Sequence, residues 1–180
     1  MAHAAQRLFF ATVKARYPDS FRRVRVLDCG SLNVNGTLRD FFEESDYLGV
    51  DIRAGRDVDL VSHIHALPDD LGPFDTVVSS EMLEHDGYWR HSLLRMYQVL
   101  KPGGLLVLSM AGEGRPEHGT RREQDRLSPD GLWGTAPDYY RNLKAEDLLE
   151  LFRDFGIEFD VALYETNPAA HDLYFYGVKR

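Results

Sequence analysis

Acids, glycines and histidines recur in one kind of place along this chain, directly after short apolar runs. Val24, Val26 and Leu27 lead into Asp28-Cys29-Gly30-Ser31, and Tyr47 to Val50 stops on Asp51. Phe74 to Val78 runs into Ser79-Ser80-Glu81, with Glu84-His85 just beyond. A glycine at the end of a strand lets the chain turn sharply and lets a ligand approach bare backbone. A carboxylate placed like Asp51 can accept two hydrogen bonds from the vicinal hydroxyls of a ribose. Histidine titrates near neutral pH, so His85 is the first candidate for a general base, and Glu81 is the second.

The loop after the first run is not a dinucleotide loop. That fingerprint is G-x-G-x-x-G, with a pyrophosphate held at a helix N-terminus. Here Gly30-Ser31-Leu32-Asn33-Val34-Asn35-Gly36 keeps the first glycine and sets a bulky leucine at the second. A nucleoside without a diphosphate suits Gly30 and Asp51 better than NAD does. His63 and His65, two apart on an extended segment with Asp59 nearby, have the side chains of metal ligands. A closed site needs further ligands and supporting hydrogen bonds, so no metal is expected.

Residues 111–143 are polar and rich in Gly, Pro and Arg. Most connections in compact domains span about 4–6 residues, so this one is too long to be idle. It is expected on the ligand side, with Trp133, Tyr139 and Tyr140 roofing an acceptor. Arg115, Arg121, Arg122 and Arg141 have the chemistry to meet an anionic group. The competing reading is a solvated loop whose aromatics pack on their own scaffold.

The elements that must position these residues follow from periodicity. An amphipathic helix is predicted over residues 2–17, closed by Pro18, and a short helix over 37–42. Strands are predicted over 24–28, 47–51, 58–61 and 74–80, then a helix over 88–100 that breaks at Lys101-Pro102-Gly103-Gly104. A continuous apolar strand over 105–110 follows, then a helix over 143–155 capped by Gly156. Two final strands, 157–164 and 173–178, are expected antiparallel across Asn167-Pro168. The alternation predicts an α/β, doubly wound, mostly parallel seven-stranded sheet with an antiparallel final strand. Ligands of such sheets sit beyond the carboxyl ends of the strands, where strand order reverses.

Composition bounds the class. The chain has 180 residues, is 43% hydrophobic and 28% charged, and carries a formal net charge of −8. That is one domain's length, with enough apolar material for a core. An acidic chain is a poor match for a phosphate backbone, so nucleic acid is not an expected partner. Cys29 is the single cysteine and can form no internal disulfide. No apolar run reaches the ~18–20 residues of a membrane span, and no signal-peptide core is apparent. A cytoplasmic protein without a membrane partner is expected, and an oligomer is left open.

The order Val26-Leu27-Asp28-Cys29-Gly30-Ser31, Gly49-Val50-Asp51, Phe74 to Ser79, Met82-Leu83-Glu84-His85 and Val99-Leu100-Lys101-Pro102-Gly103-Gly104 resembles a class I, Rossmann-like S-adenosylmethionine-dependent methyltransferase. The match covers residues 24–110 and continues loosely through Tyr140-Arg141-Asn142-Leu143 to Gly156. The resemblance implies one methyltransferase domain over 1–180, with 1–18 as an N-terminal helix and 111–143 as a substrate-side loop. It implies S-adenosylmethionine as cofactor and S-adenosylhomocysteine as product. Cys29, Gly30 and Ser31 would line the methionine arm, with Asp28 supporting the loop or meeting the amino group. Asp51 would hold the ribose, Ile52 would pack on the adenine, and His63 and Ile64 would lie at the adenine edge. His63 stands where such domains place an acid. Ser79, Ser80 and Glu81 would pass beneath the methyl group, and the Glu84-His85 pair often shapes the strand-to-helix turn.

The implied reaction is methyl transfer to oxygen or nitrogen of a small molecule, with Trp133, Tyr139, Tyr140 and Arg141 as acceptor contacts. Two alternatives remain. Tyr140 and Lys144 stand at the four-residue spacing of a short-chain NAD(P)-dependent dehydrogenase or epimerase, although the glycine loop disagrees. A methyltransferase-like binding module without catalysis would also suit the degenerate loop.

Overall fold

The apolar runs pair into one sheet in the computed structural model, which describes residues 4–120 and 139–180. Its strands are β1 (Arg25–Cys29), β2 (Asp46–Asp51), β3 (Leu60–Val61), β4 (Phe74–Ser80), β5 (Leu100–Ala111), β6 (Phe159–Asn167) and β7 (Asp172–Lys179). They lie in the order β3-β2-β1-β4-β5-β7-β6. Strands β3, β2, β1, β4 and β5 pair parallel, and β7 runs antiparallel to both β5 and β6. Val26, Leu27, Val77, Val78 and Leu105 to Leu108 are almost fully buried, as continuous apolar runs covered on both faces should be.

Among the described residues three helices supply the covers: α1 (Ala4–Arg16), α2 (Trp89–Val99) and α3 (Ala145–Phe155). On one face Phe9, Phe10 and Val13 of α1 pack with Val26, Val78, Val107, Tyr174 and Tyr176. Phe9 stacks on Tyr174 with ring centres 4.5 Å apart. On the other face Leu93 and Met96 of α2 and Leu148, Leu151 and Phe152 of α3 pack with Leu27, Val77, Leu106 and Phe175. The N-terminus of α3 is held by Asp147, whose carboxylate accepts from the Lys144 N–H at 2.8 Å. Its other end closes at Gly156 in the left-handed conformation, as the periodicity predicts. Among the described residues no helix is long and apolar enough to cross a membrane.

Two elements differ from the sequence reading. The helix expected over 37–42 is a single 3-10 turn, Arg39–Phe41, followed by an extended Phe42. Phe42 leaves helical geometry to stack on Phe21 at 4.8 Å and meet Tyr47 edge-on at 5.3 Å. Aromatic burial there outweighs the one or two hydrogen bonds a longer helix would add. The fifth strand begins at Leu100, earlier than expected, because Lys101 to Gly104 form a bulge between the pairs Phe74–Leu100 and Thr76–Leu105. Lys101 Nζ closes that bulge on Asp75 Oδ1 at 2.6 Å.

The cover provided by α1 gives a direct test. Phe10 is fully buried and Leu8 is 69% exposed. Phe10→Ala should cost about 3–5 kcal/mol in urea unfolding, whereas Leu8→Ala should stay within about 0.5 kcal/mol of the parent.

Candidate functional site

The chain leaves β1 for β2 on one side, while β4 adds to β1 on the other, so strand order reverses between β1 and β4. Connections diverge there and leave a crevice at the carboxyl ends. Asp28, Gly30, Ser31, Leu32, Leu38 and Ser80 are among the residues lining a pocket at this point, and its enclosed part is about 30 Å³. Asp28 is 3% exposed and its Oδ2 accepts from the Tyr47 hydroxyl at 2.7 Å. Burial pushes its carboxyl up to about 7, with the Tyr47 hydrogen bond and the Arg39 charge pulling the other way. Ser31 Oγ is buried without a hydrogen-bond partner. A small polar or cationic group fits these atoms.

Gly30 has φ of +87°, and a Cβ there would fall 2.6 Å from Met82 Cβ. The close approach expected at this glycine is therefore taken, on its α-carbon side, by Met82. The N–H groups of Gly30 and Ser31 both reach the Val50 carbonyl, at 2.8 and 3.1 Å. Those two donors serve the β1–β2 junction, while both residues line the pocket. The Cys29 side chain is buried in the core, and its carbonyl accepts from Ser79 Oγ at 2.7 Å. Ser80 Oγ meets Ser109 Oγ at 2.9 Å beside the pocket.

One strand over, Asp51 Oδ2 accepts from the Leu32 N–H at 3.3 Å and Oδ1 from the Arg53 N–H at 3.1 Å. Burial lifts its carboxyl above the ordinary value, against those backbone hydrogen bonds. A carboxylate has about four acceptor positions, so two donors leave room for a diol. The Ser62 N–H donates to the Asp51 carbonyl at 2.9 Å, which brings the end of β3 alongside. Ile52 is 41% exposed, His63 is exposed, and Ile64 is buried at the start of a 3-10 turn, Ile64–Ala66. The loop after Gly30 is fixed by side chains: Asn33 Nδ2 donates to Asp57 Oδ2 at 2.6 Å, and Leu32 fills the space a Cβ would take at Gly55.

The end of β4 carries a second polar group. Glu81 has φ of +53° and is nearly buried; a non-glycine residue in that region costs roughly 1–2 kcal/mol and is commonest at functional sites. Gln6 Nε2 donates to Glu81 Oε1, while His118 Nε2 lies 3.2 Å and Arg115 Nη2 3.6 Å from Oε2. Burial would raise the Glu81 carboxyl, but the His118 contact and the positive charges around it hold it below its usual value. Glu84 is fully buried, and its Oε1 accepts from the Ala111 N–H at 3.2 Å. Burial, with the Glu81 charge beside it, pushes that carboxyl up to about 8. His85, His118 and Tyr140 form a ring triangle with each pair of centres 5.3 Å apart.

The structure thus groups Asp28, Ser31 and Ser80 at one pocket, Asp51, Ile52 and His63 beside it, and Glu81, His85 and Tyr140 beyond β4. Tyr139 packs against the main core cluster near Gly87. Arg141 is turned away, to Asp147 at 2.5 Å and the Trp89 ring at 5.7 Å; its backbone N–H, at 2.9 Å from the Glu84 carbonyl, reaches the site. Arg115 is bound to Asp172 at 2.7 Å. Trp133, Arg121 and Arg122 lie outside the described residues. Asp59 is engaged by Arg39 and the Gly49 N–H, which removes it from His63 and His65. Tyr140 and Lys144 do not share a helix, since α3 begins at Ala145. Sequence reasoning missed Gln6 and His118. Gln6 was detectable as a polar residue on the stripe of Phe9, Phe10 and Val13, whereas His118 carries no spacing signal.

A family model described as a methyltransferase domain matches residues 1–160. No curated protein sequence matches the chain. Among solved structures, the 1,6-didemethyltoxoflavin-N1-methyltransferase of Burkholderia thailandensis, with 1,6-didemethyltoxoflavin and S-adenosylhomocysteine bound, is 20% identical. That alignment covers 98% of this chain and 78% of that one, with a TM-score of 0.68. The N-methyltransferase NodS of Bradyrhizobium japonicum, in complex with S-adenosylhomocysteine, is 14% identical over 98% and 88% of the two chains, with a TM-score of 0.63. The magnesium protoporphyrin IX methyltransferase of Synechocystis, with S-adenosylmethionine bound, is 14% identical over 96% and 79%, with a TM-score of 0.61. The fold they share with this chain is the class I methyltransferase fold.

Asp28 yields a prediction with a sign. A carboxyl whose folded value is about 7, against about 3.8 unfolded, adds full stability below the unfolded value. That contribution is lost as pH rises through about 7, because the folded chain holds the proton that the unfolded chain releases. Asp28→Asn keeps an oxygen for Tyr47 and removes the titration. In urea unfolding from pH 4 to pH 8, the gap between variant and parent should grow in favour of the variant, by on the order of a few kcal/mol. A constant gap would show that Asp28 does not titrate there.

Proposed function

The chain belongs to the methyltransferase-domain family, and we propose that it is an S-adenosylmethionine-dependent methyltransferase acting on a small molecule at oxygen or nitrogen. The observation that carries this reading is the reversal crevice, where buried Asp28 and the unpartnered Ser31 Oγ stand beside Asp51. Asp28 receives the amino group of the cofactor, and Cys29, Gly30, Ser31 and Ser80 border its methionine arm. Asp51 accepts the ribose hydroxyls, Ile52 packs on the adenine, and His63 and Ile64 flank its edge. Three strand spacings of about 4.8 Å separate β3 from β4, roughly 14 Å, a length an extended nucleoside with a short arm can span. A net cation also suits the acids at these strand ends. The solved neighbours that hold S-adenosylhomocysteine or S-adenosylmethionine on the same fold support the cofactor.

The bound cofactor supplies an electrophilic methyl group, whose bond to sulfur breaks with the electron pair left on sulfur as the acceptor's lone pair attacks. The protein's part is alignment, the source of most of the rate in such displacements. A hydroxyl acceptor must also lose a proton, and Glu81 and His85, beyond Ser80, are the groups placed to assist. Tyr139, Tyr140 and Arg141 belong to the acceptor side, Arg141 through its backbone. Residues 1–180 make up one such domain. The dehydrogenase reading loses its motif, because Tyr140 bonds His118 and Pro116 while Lys144 bonds Glu113.

Asp51→Ala should weaken binding of S-adenosylhomocysteine in calorimetry by tenfold or so, since a charged hydrogen-bonding group contributes about 1.5–3 kcal/mol. Unchanged affinity would remove Asp51 from the ribose, and NADH binding in its place would restore the dehydrogenase. His85→Ala should lower turnover far more than it lowers cofactor affinity. Equal losses of activity and melting temperature would leave His85 a structural part only.

A further inference from the structure

We propose that Glu84, His85 and His118 form a binding site for one divalent first-row metal ion, of the class of Zn²⁺ or Mn²⁺, with Glu81 within reach as a fourth ligand. Among the described residues, these three are the group whose ligand atoms come together, all within 4.8 Å of one another. An ion with bonds of about 2.0–2.2 Å in tetrahedral geometry holds its ligands about 3.3–3.6 Å apart, so side-chain shifts of up to about an ångström complete the site.

The polar atoms around this point are left in the state a ligand set requires. Glu84 is fully buried, and while Oε1 serves the Ala111 N–H, its Oε2 has no hydrogen-bond partner. His118 Nε2 is buried too, with Glu81 Oε2 at 3.2 Å as its ion-pair partner. The opposite ring nitrogen, Nδ1, lies 3.1 Å from the Pro116 carbonyl, which can only accept. With Nδ1 donating to that carbonyl, Nε2 is the ring nitrogen that faces the acids, 3.2 Å from Glu81 Oε2, and an ion bound there would replace the proton it shares with Glu81. A carbonyl fixing the tautomer of a ligating histidine is the usual arrangement behind metal-bound imidazole. The Tyr140 hydroxyl, 3.1 Å from the same Nδ1 and donating to the Pro116 carbonyl at 3.2 Å, steadies that edge of the ring. His85 supplies a second imidazole, its ring at 89° to that of His118. Glu81 Oε2, 3.2 Å from His118 Nε2 and 3.6 Å from Arg115 Nη2, is the acid an ion would share with that histidine, and it completes the set.

Two imidazoles with one or two carboxylates suit first-row divalent ions better than Mg²⁺ or Ca²⁺, which prefer all-oxygen shells. This is a different place from His63 and His65, where the sequence drew attention. What the ion does there rests on the proposed methyl transfer. Bound next to the β4 end, it would take the acceptor's oxygen as a ligand, so that the hydroxyl proton leaves to water before the oxygen attacks. His85 then acts as a ligand, and the acceptor is a hydroxyl compound.

The test uses the full chain, stripped with a chelator and carrying neither cofactor nor acceptor. Calorimetric titration with ZnCl₂ and electron paramagnetic resonance with MnCl₂ should each find one ion per chain. Glu84→Gln keeps an oxygen for the Ala111 N–H, and it and His118→Ala should each weaken binding at least about tenfold. His91→Ala, on the exposed side of α2, should leave it unchanged. His118→Asn stands in should the alanine variant fail to fold. Absence of saturable binding, or binding indifferent to Glu84 and His118, would overturn the site and leave an ion pair of His118 with Glu81. That failure would leave the methyltransferase reading intact, whereas loss of S-adenosylhomocysteine binding with the ion retained would overturn only the latter.

Discussion

Acids held out of water at the carboxyl ends of neighbouring parallel strands are the constraint around which this molecule is arranged. Asp28, Asp51, Glu81 and Glu84 all stand there, and all but Asp51 are buried. Removing a carboxylate from water without partners costs several kcal/mol, so every nearby element contributes a donor or lets the group keep its proton. Tyr47 serves Asp28, Gln6 of α1 serves Glu81, the Ala111 N–H serves Glu84, and Arg115 links Glu81 to Asp172. The N-terminal helix, the segment after β5 and the start of β7 therefore meet at one polar point. Function and stability draw on the same groups with opposite sign.

The crevice is shaped by what the sheet lacks as much as by what it has. Between β1 and β2 there is one 3-10 turn where a full helix would have offered its N-terminus to a phosphate. The loop after Gly30 is pinned by Asn33 on Asp57, by the Asn33 N–H on the Arg56 carbonyl at 3.0 Å, and by Leu32 over Gly55. A glycine-poor loop held this way can keep a fixed shape without hugging a diphosphate. That is the physical reason a nucleoside with an amino-acid arm suits the site better than a dinucleotide.

Methyl transfer asks little of a protein beyond alignment, and in the proposed reaction the two groups of acids would divide that labour. Those of β1 and β2 would meet the cationic donor, and those at the end of β4 would meet the acceptor. The positive φ of Glu81 turns its carboxylate into that second group, at an energetic cost that pairing with Gln6, Arg115 and His118 offsets.

Much of this was legible beforehand. Continuous apolar runs at Val26-Leu27, Val77-Val78 and Leu105 to Leu108 could only be strands buried on both faces, and their alternation with helices determined a parallel sheet with its ligands beyond the strand ends. Asp51, Asp28 and Ser80 could be named because period and topology alone put them there. The fate of the Gly30 approach could not, since Met82 reaches it from 52 positions away. Nor could the meeting of Gln6, Glu81, Glu84, His85 and His118. Local pattern reports which face of an element is apolar, and so the sequence by itself determined the sheet and the row of polar residues along its edge. Which polar atoms are shut from water, and which are left without a partner, depends on contacts between distant segments, and only the tertiary structure decided that.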